Sequence, residues 1–373
     1  MEPDVTISER RRQTRNSVYH YLYKATGFCS RQQLSRDLGL SLPTVYQNLT
    51  ELMDAGLIQN SGEQQHTGGR KAAGLSIVPD ARVAVGISIT ENRLRFVAVD
   101  LRMNELGYQR IDINSMDELG PKLALELERF LDELSIDRTN LLGVGIALPA
   151  IIDQENALLK LAPTLHLQDV SLKNLTKYIP YPTYVENDAN SGGYAELFNH
   201  SGQNNMAYLS LENGVGGAVL INGTPYYGDN LRSGEFGHMC VEPGGLRCKC
   251  GKQGCLESYC SARRISVDLG ITLDDFFAGL ERHVPEYENL WHDVLRHLAI
   301  GISNIRMALD CDVVLGGFLT EFISPYIGIL KSYAAALDTF GINADYIHLG
   351  TMCKHTVPMG VALHFVDNFL KNI

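Results

Sequence analysis

Gly234-Glu235-Phe236-Gly237-His238 is followed closely by Cys248-Lys249-Cys250-Gly251-Lys252-Gln253-Gly254-Cys255-Leu256-Glu257. Together the two runs hold one imidazole and three thiols, with a carboxylate near each end. Thiolate and neutral imidazole are the ligands zinc takes, and four of them with no open position make a structural site rather than a catalytic one. His238, Cys248, Cys250 and Cys255 therefore read as a clamp for one structural zinc ion per chain. Glycines at 244, 245, 251 and 254 suit a loop that turns sharply around an ion. The spacing is not the common C-x2-C type, so on the cysteines alone a disulfide or four ordinary reduced side chains stay open.

The rest of the chain narrows the setting. Its 373 residues are enough for two or three domains with sizeable cores, and 45% apolar with 20% charged residues is an ordinary globular balance. No apolar run is long enough for a membrane helix, and Met1-Glu2-Pro3-Asp4-Val5 lacks the apolar segment of a signal peptide. A cytoplasmic protein without membrane contact is expected, and cysteines of which 240, 248, 250, 255 and 260 fall close together while 29, 311 and 353 are scattered are not a disulfide framework.

Charge is uneven. The formal net charge is −11, yet Arg10, Arg11, Arg12, Arg15, Lys24, Arg31 and Arg36 follow one another with no acid between them. A basic stripe on an acidic protein is an electrostatic footprint for nucleic acid phosphates. The same region reads as three short helices. Val18 and Leu22 give the first an apolar face, Ser30 with Gln33 opens the second, and Gly39 ends it. Ser41 caps the third, Pro43 lies in its first turn, Val45, Leu49 and Leu52 line one face, and Gly56 stops it. This is a helix-turn-helix, in which the start of the later helix meets base edges. Thr44, Tyr46, Gln47 and Asn48 are the candidate readers, with Arg31 beside them; Asn and Gln can pair bidentately with adenine. Leu57-Ile58 and Ser61-Gly62 suggest a small wing.

The expected divisions are a winged head over 1–62, a polar, glycine-rich linker over 63–80, a first α/β lobe over 81–190 completed by a C-terminal helix over 358–373, and a second lobe over 191–357. Apolar strands are expected at Val83–Ile89, Leu94–Leu101, Leu142–Leu148, Met206–Leu211 and Val313–Leu315, with amphipathic helices at Pro121–Leu134 and Trp291–Leu309. Strands and helices in this order suit two α/β lobes that face a cleft.

The pattern G-E-x-G-H followed by C-x-C-G-x-x-G-C-x-E resembles the signature of the ROK family, which groups sugar-responsive repressors with sugar kinases. The resemblance strengthens the zinc reading and implies an actin-like sugar kinase body behind a winged helix-turn-helix. Val185-Glu186-Asn187-Asp188-Ala189-Asn190 closely resembles a second family segment. By that likeness Asn187 and Asp188 contact a sugar, Glu235 and Glu257 grip its ring hydroxyls, and His238 touches it while ligating zinc. Thr67-Gly68-Gly69-Arg70-Lys71 is similar to a segment between the two parts of ROK repressors. Arg70 and Lys71 there suit a narrow minor groove, or a merely flexible basic linker.

The resemblance also shows where this chain departs from the kinases. Their first strand turn reads Asp-x-Gly-Gly-Thr, where glycines admit phosphate; here Gly86-Ile87-Ser88-Ile89-Thr90 stands instead. Their second phosphate loop resembles Gly-Thr-Gly-x-Gly, against Glu212-Asn213-Gly214-Val215-Gly216 here. On the sugar side, Ala150 and Thr164 replace a usual Gly and Asn. The expected function is a non-enzymatic, sugar-responsive repressor, a homodimer or higher homo-oligomer that binds double-stranded operator DNA and takes a monosaccharide or sugar derivative as effector. The alternative is a sugar kinase with Asp188 as base.

Overall fold

The computed structural model describes residues 7–25, 27, 29–63, 73–200, 203–341, 343–352 and 354–373. The head is built from α1 (Ile7–Lys24), α2 (Arg31–Leu38), α3 (Leu42–Asp54) and the strands β1 (Ile58–Glu63) and β2 (Ala73–Ile77). Its helix ends follow local chemistry. Ser30 Oγ accepts the Gln33 N–H at the start of α2, Gly39 closes that helix with φ 64°, and Ser41 Oγ accepts the Thr44 N–H at the start of α3.

The wing is longer than expected. β1 and β2 pair antiparallel with Ile58 opposite Ile77 and Asn60 opposite Leu75, so the second strand falls within 63–80, the segment read as linker. Leu75 is fully buried and exchanges backbone hydrogen bonds with Cys29. Burial of Leu75 and Ile77 supplies the strand that the polar composition around them hid.

The first lobe carries β3 (Val83–Thr90), β4 (Arg93–Asp100), β5 (Glu105–Asp112), α4 (Leu119–Glu133), β6 (Leu141–Leu148), the small antiparallel sheet β7 (Ile151–Asp153), β8 (Leu158–Ala162) and β9 (Leu167–Ser171), then α5 (Lys173–Thr176) and β10 (Thr183–Asn187). The main sheet runs β10-β6-β3-β4-β5, with β6 and β10 parallel to β3 and the other pairs antiparallel. The second lobe carries α6 (Asp188–Asn199), β11 (Met206–Leu211), β12 (Val215–Ile221), β13 (Thr224–Pro225), α7 (Glu257–Cys260), α8 (Ala262–Ser266), α9 (Leu273–Glu281), α10 (Pro285–Leu309), β14 (Asp312–Gly316), α11 (Thr320–Ile323), α12 (Ile327–Ala336) and β15 (Ile347–Leu349). Its sheet, β13-β12-β11-β14-β15, repeats the first: three antiparallel strands, then two parallel ones.

The chain returns to the first lobe in α13 (Thr356–Lys371), which lies flush on β3 and β6 and against α6. A Cβ on Gly86 would come within 1.7 Å of the Pro358 carbonyl oxygen, so the close approach requires glycine there. Where the chain crosses back, the buried Glu196 accepts the backbone N–H groups of Thr351 at 2.8 Å and Met352 at 3.0 Å. The expected strands and the two long helices are present, and α13 packs on the sheet of the first lobe.

Head and body share a core. Val18, Leu34, Leu49 and Leu75 belong to one buried cluster with Val97, Leu101, Leu363 and Val366. Tyr23 donates to the Leu101 carbonyl at 2.9 Å, and Asn16 Nδ2 donates to the Lys371 carbonyl at 3.0 Å. A head fragment ending at residue 62 lacks β2 and should melt well below one ending at residue 81. Each lost buried side chain of this size is worth about 2–5 kcal/mol. Equal midpoints by circular dichroism would mean that β2 contributes nothing to the head.

Candidate functional site

The ligand atoms of His238, Cys248, Cys250 and Cys255 all lie within 4.8 Å of one another. Cys248 Sγ is 3.8 Å from His238 Nδ1, and Cys250 Sγ is 3.7 Å from Cys255 Sγ. A tetrahedron with metal–sulfur bonds of about 2.3 Å has sulfur–sulfur edges of about 3.8 Å. The donor set therefore fits a four-coordinate metal ion. Backbone hydrogen bonds from Cys248 to Lys252, Gly251 to Cys248 and Gly254 to Leu246 close the loop around it. Burial pushes the Cys255 thiol up to about 12, while the Lys252 backbone N–H holds the exposed Cys250 thiol below its usual range. Engagement of His238 through Nδ1 leaves its Nε2 for another partner.

Both ends of this loop bear on the start of β12. The turn Phe236–His238 rests there because a Cβ at Gly237 would come within 2.0 Å of the Val215 carbonyl. Glu257, the first residue of α7, accepts the Val215 N–H on Oε2 at 3.0 Å. Glu235 and Glu257 are thus placed by one loop against one strand.

Across the cleft, β10 runs directly into α6. Asn187 caps α6, with Oδ1 accepting the Asn190 N–H at 3.0 Å and Nδ2 donating to the Ala150 carbonyl at 3.1 Å. Asn187 and Glu235 line a common cavity of about 30 Å³ with Ala150, Gly217, Tyr227 and Ser233. Asp188, His238 and Glu257 do not line it. Burial, then the charges of Glu212 and Glu235, push the Asp188 carboxyl up to about 7. Burial also raises Glu212, against the opposing charge of Arg95 on β4. Three carboxylates therefore lie close enough at one end of the cleft for two of them to bear on Asp188. In the first phosphate segment, Ser88 is 3% and Ile89 1% exposed, so both are taken into the protein.

The motifs did not single out a neighbouring network. Glu186, 4% exposed, accepts Tyr184 Oη at 2.7 Å and Tyr227 Oη at 2.6 Å on one oxygen. Its other oxygen accepts the Asn187 N–H at 2.7 Å and Asn190 Nδ2 at 3.2 Å. The network walls the small cavity from a larger one of about 260 Å³, lined also by Tyr194 and His364. Tyr227 lies in a loop without periodicity, so its sequence context carries no signal; Glu186 stood inside a segment read only for its neighbours.

In the head, Tyr46 is 53% exposed, Gln47 is exposed, and Thr44 Oγ1 lies 2.8 Å from Ser41 Oγ. The Arg31 guanidinium sits 5.3 Å from the Tyr46 ring centre and reaches Asn60 Oδ1 at 3.3 Å. Asn48 corrects the sequence reading. It is 4% exposed, and Nδ2 donates to the Thr44 carbonyl at 2.8 Å, so it packs into the head instead of offering its amide to a base. Arg11 and Arg15 both pair with Glu51, which spends part of the basic stripe on joining α1 to α3. Arg70 and Lys71 lie outside the described residues.

Residues 84–340 match the family described as ROK family. The chain belongs to the ROK family. Residues 11–59 match a winged helix-turn-helix DNA-binding family. A xylose repressor of Bacillus subtilis (strain 168) is 30% identical over 362 residues, covering 92% of each chain. A glucokinase of Halalkalibacterium halodurans is 34% identical over 232 residues, covering 61% of this chain and 66% of that one. Among solved structures, a ROK family transcriptional regulator, a homologue of the E. coli MLC protein, superposes with a TM-score of 0.77 at 21% identity over 97% of each chain. A ROK hexokinase from Thermus thermophilus gives a TM-score of 0.65 at 23% identity over 78% of this chain and all of that one. The fold of this ROK chain is accordingly a winged head on an actin-like sugar kinase body.

The Asp188 carboxyl gives this site a pH signature. An unfolded Asp titrates near 3.9, so with a folded value of about 7 the folded state holds an extra proton between these limits. Stability then falls as pH rises from about 4 through about 7. Asp188→Asn should flatten the fall in thermal midpoint between about pH 5 and pH 8 and raise the midpoint at the alkaline end. Parallel curves for the two proteins would show that Asp188 titrates normally.

Proposed function

We propose that this chain is a sugar-responsive repressor whose head binds double-stranded operator DNA and whose cleft binds a monosaccharide or simple derivative. The observation that carries this reading is the shared core of head and body. The residues that bury Leu34 and Leu49 of the head also bury Leu363 and Val366 of α13, and α13 lies on the sheet that supplies one wall of the cleft. A ligand that shifts one lobe against the other changes the footing of the head.

In this reading Asn187, Asp188, Glu235, His238 and Glu257 serve the sugar. Carboxylates and amides suit this work because each can accept or donate two hydrogen bonds in fixed directions. The metal is one structural zinc ion held by His238, Cys248, Cys250 and Cys255, and its chemistry is to tie the loop that presents Glu235 and Glu257. Arg31, Thr44, Tyr46 and Gln47 meet the DNA, joined by Arg70 and Lys71. The protein acts in the cytoplasm as a homodimer or higher homo-oligomer, because paired half-sites match a two-fold protein. Similarity to repressors over almost the whole length supports the reading.

One observation favours a second reading, a sugar kinase. A carboxyl near 7 is well placed to act as a general base, and Asp188 has that value. The carboxylate of Glu212 and the buried Ile89 oppose it, since phosphoryl transfer needs a cradle for nucleotide phosphates. Turnover of ATP with any member of a hexose panel would make the kinase reading lead.

The repressor reading is tested on the full-length protein. A sugar found by thermal shift should change affinity for DNA selected from a random pool by about 5- to 150-fold, the usual range of such coupling. Glu235→Gln should abolish the thermal shift and leave DNA affinity unaltered without sugar. An unchanged DNA affinity with every sugar that binds would sink the proposal. Metal analysis should find one zinc per chain in the wild type and a large loss in Cys255→Ser.

A further inference from the structure

A fourth thiol stands beside the metal cluster without belonging to it. Cys240 is exposed and lies two residues after His238. It forms an isolated antiparallel bridge with Cys255, one of the four clustered residues. The flanking backbone bonds define the kind of bridge: Val241 N–H donates to the Gly254 carbonyl at 2.8 Å, and Leu256 N–H to the Met239 carbonyl at 2.9 Å. Cys240 and Cys255 are thus a directly opposed pair that does not itself exchange backbone hydrogen bonds. In such pairs the Cα atoms are about 4.5 Å apart and both side chains rise from the same face. That separation falls inside the range of roughly 4.4–6.8 Å that a disulfide spans. Cys240 Sγ rests on the partner strand 3.9 Å from the Gln253 carbonyl, and a turn of its side chain toward Cys255 precedes any bond between them.

We propose that Cys240 is a redox-sensing thiol that closes a disulfide onto Cys255 and so removes one ligand from the metal cluster. The co-reactant is a peroxide. Cys240 Sγ attacks one oxygen of hydrogen peroxide, the O–O bond breaks, and one water leaves, so that Cys240 becomes a sulfenic acid. Cys255 Sγ then attacks Cys240 Sγ; the S–S bond forms, the S–O bond breaks, and hydroxide takes a proton to leave as a second water. The two sulfurs lose two electrons and the peroxide gains them.

Exposure decides the order. Cys248 and Cys255 are buried, and Cys250, although exposed, lies within the ligand set, whereas Cys240 meets solvent and lies outside it. The consequence follows from the geometry of the loop. Without Cys255 the ligand set shrinks to His238, Cys248 and Cys250, and the segment between Glu235 and Glu257 loses its tie. Oxidation would disable the cleft without touching the head. Thioredoxin-type reductants reverse it, because Cys240, the exposed half of the bond, is open to attack.

This inference rests on the proposed metal reading for its consequence and on the chain alone for its disulfide, and the experiment separates the two. Full-length protein prepared without oxygen is treated with hydrogen peroxide, blocked at free thiols, digested without reductant and mapped by mass spectrometry, while a chromophoric chelator follows zinc in the same sample. The expected result is a 240–255 linked peptide pair that appears together with one released zinc. Cys240→Ser and Cys240→Ala should both lose that pair and retain zinc under the same dose. A 250–255 or 248–250 pair in place of it, a Cys240 that stays free, or equal zinc release from the variants would overturn the proposal. A 240–255 pair in protein that never held zinc would keep the thiol switch and sink the metal reading.

Discussion

The contact on which most of the molecule depends is the seat of α13 on the first sheet. At Gly86 the helix backbone comes so near that no side chain fits, and from that seat α13 reaches three partners at once: the sheet, α6 and the head. Packed interiors do not deform smoothly, because side chains at close-packed density have few alternative arrangements. A helix wedged between two lobes therefore transmits displacement instead of absorbing it. Glu196 adds a second constraint at the crossing between lobes, where a fully buried carboxylate is satisfied by Thr351 and Met352 and ties α6 to the segment that leads into α13.

The cleft is assembled on a different principle. Between Phe236–His238 and α7 no helix or regular strand supports the chain, so the loop depends on its own turns and on the four side chains that converge within it. Order imposed by a metal ion is local and strong, since the ion's binding energy is folding energy for the loop around it. The loop's two ends both meet Val215. Under the proposed function, placing two carboxylates by one loop against one strand fixes their separation, as recognition of a rigid polyol ring demands.

Much of this was legible in the sequence, and the exceptions have physical causes. Helix ends in the head were readable because capping is local: Ser30, Gly39 and Ser41 act within a few residues. The convergence of His238, Cys248, Cys250 and Cys255 was readable because thiol and imidazole side chains at this spacing suit one cluster. β2 was hidden because Ala73-Gly74-Leu75-Ser76-Ile77 owes its strand to a distant partner, β1, and to burial of Leu75 beneath the head. Asn48 was misread by weighing residue type over position. Val45, Asn48, Leu49 and Leu52 follow the spacing of a helix's buried stripe, and all four are buried. The Glu186 network was unreadable because its tyrosines come from β10 and from the loop after β13, and nothing in either stretch points to the other.

Charge in the cleft constrains what the proposed effector can be. Burial first, and then the charges of Glu212 and Glu235, lift the Asp188 carboxyl to about 7, and Arg95 is the cation that opposes Glu212. A phosphorylated sugar would bring a further charge of about −1.5 to −2 to this end of the cleft. A neutral sugar brings hydroxyl donors instead, which an ionised carboxylate accepts and which lower its proton affinity. Within the repressor reading, the crowding that disfavours nucleotide phosphate also selects an uncharged effector over its phosphate ester. Its binding should release protons from Asp188 near neutral pH, so the departures from the kinase pattern and the choice of ligand follow from one electrostatic arrangement.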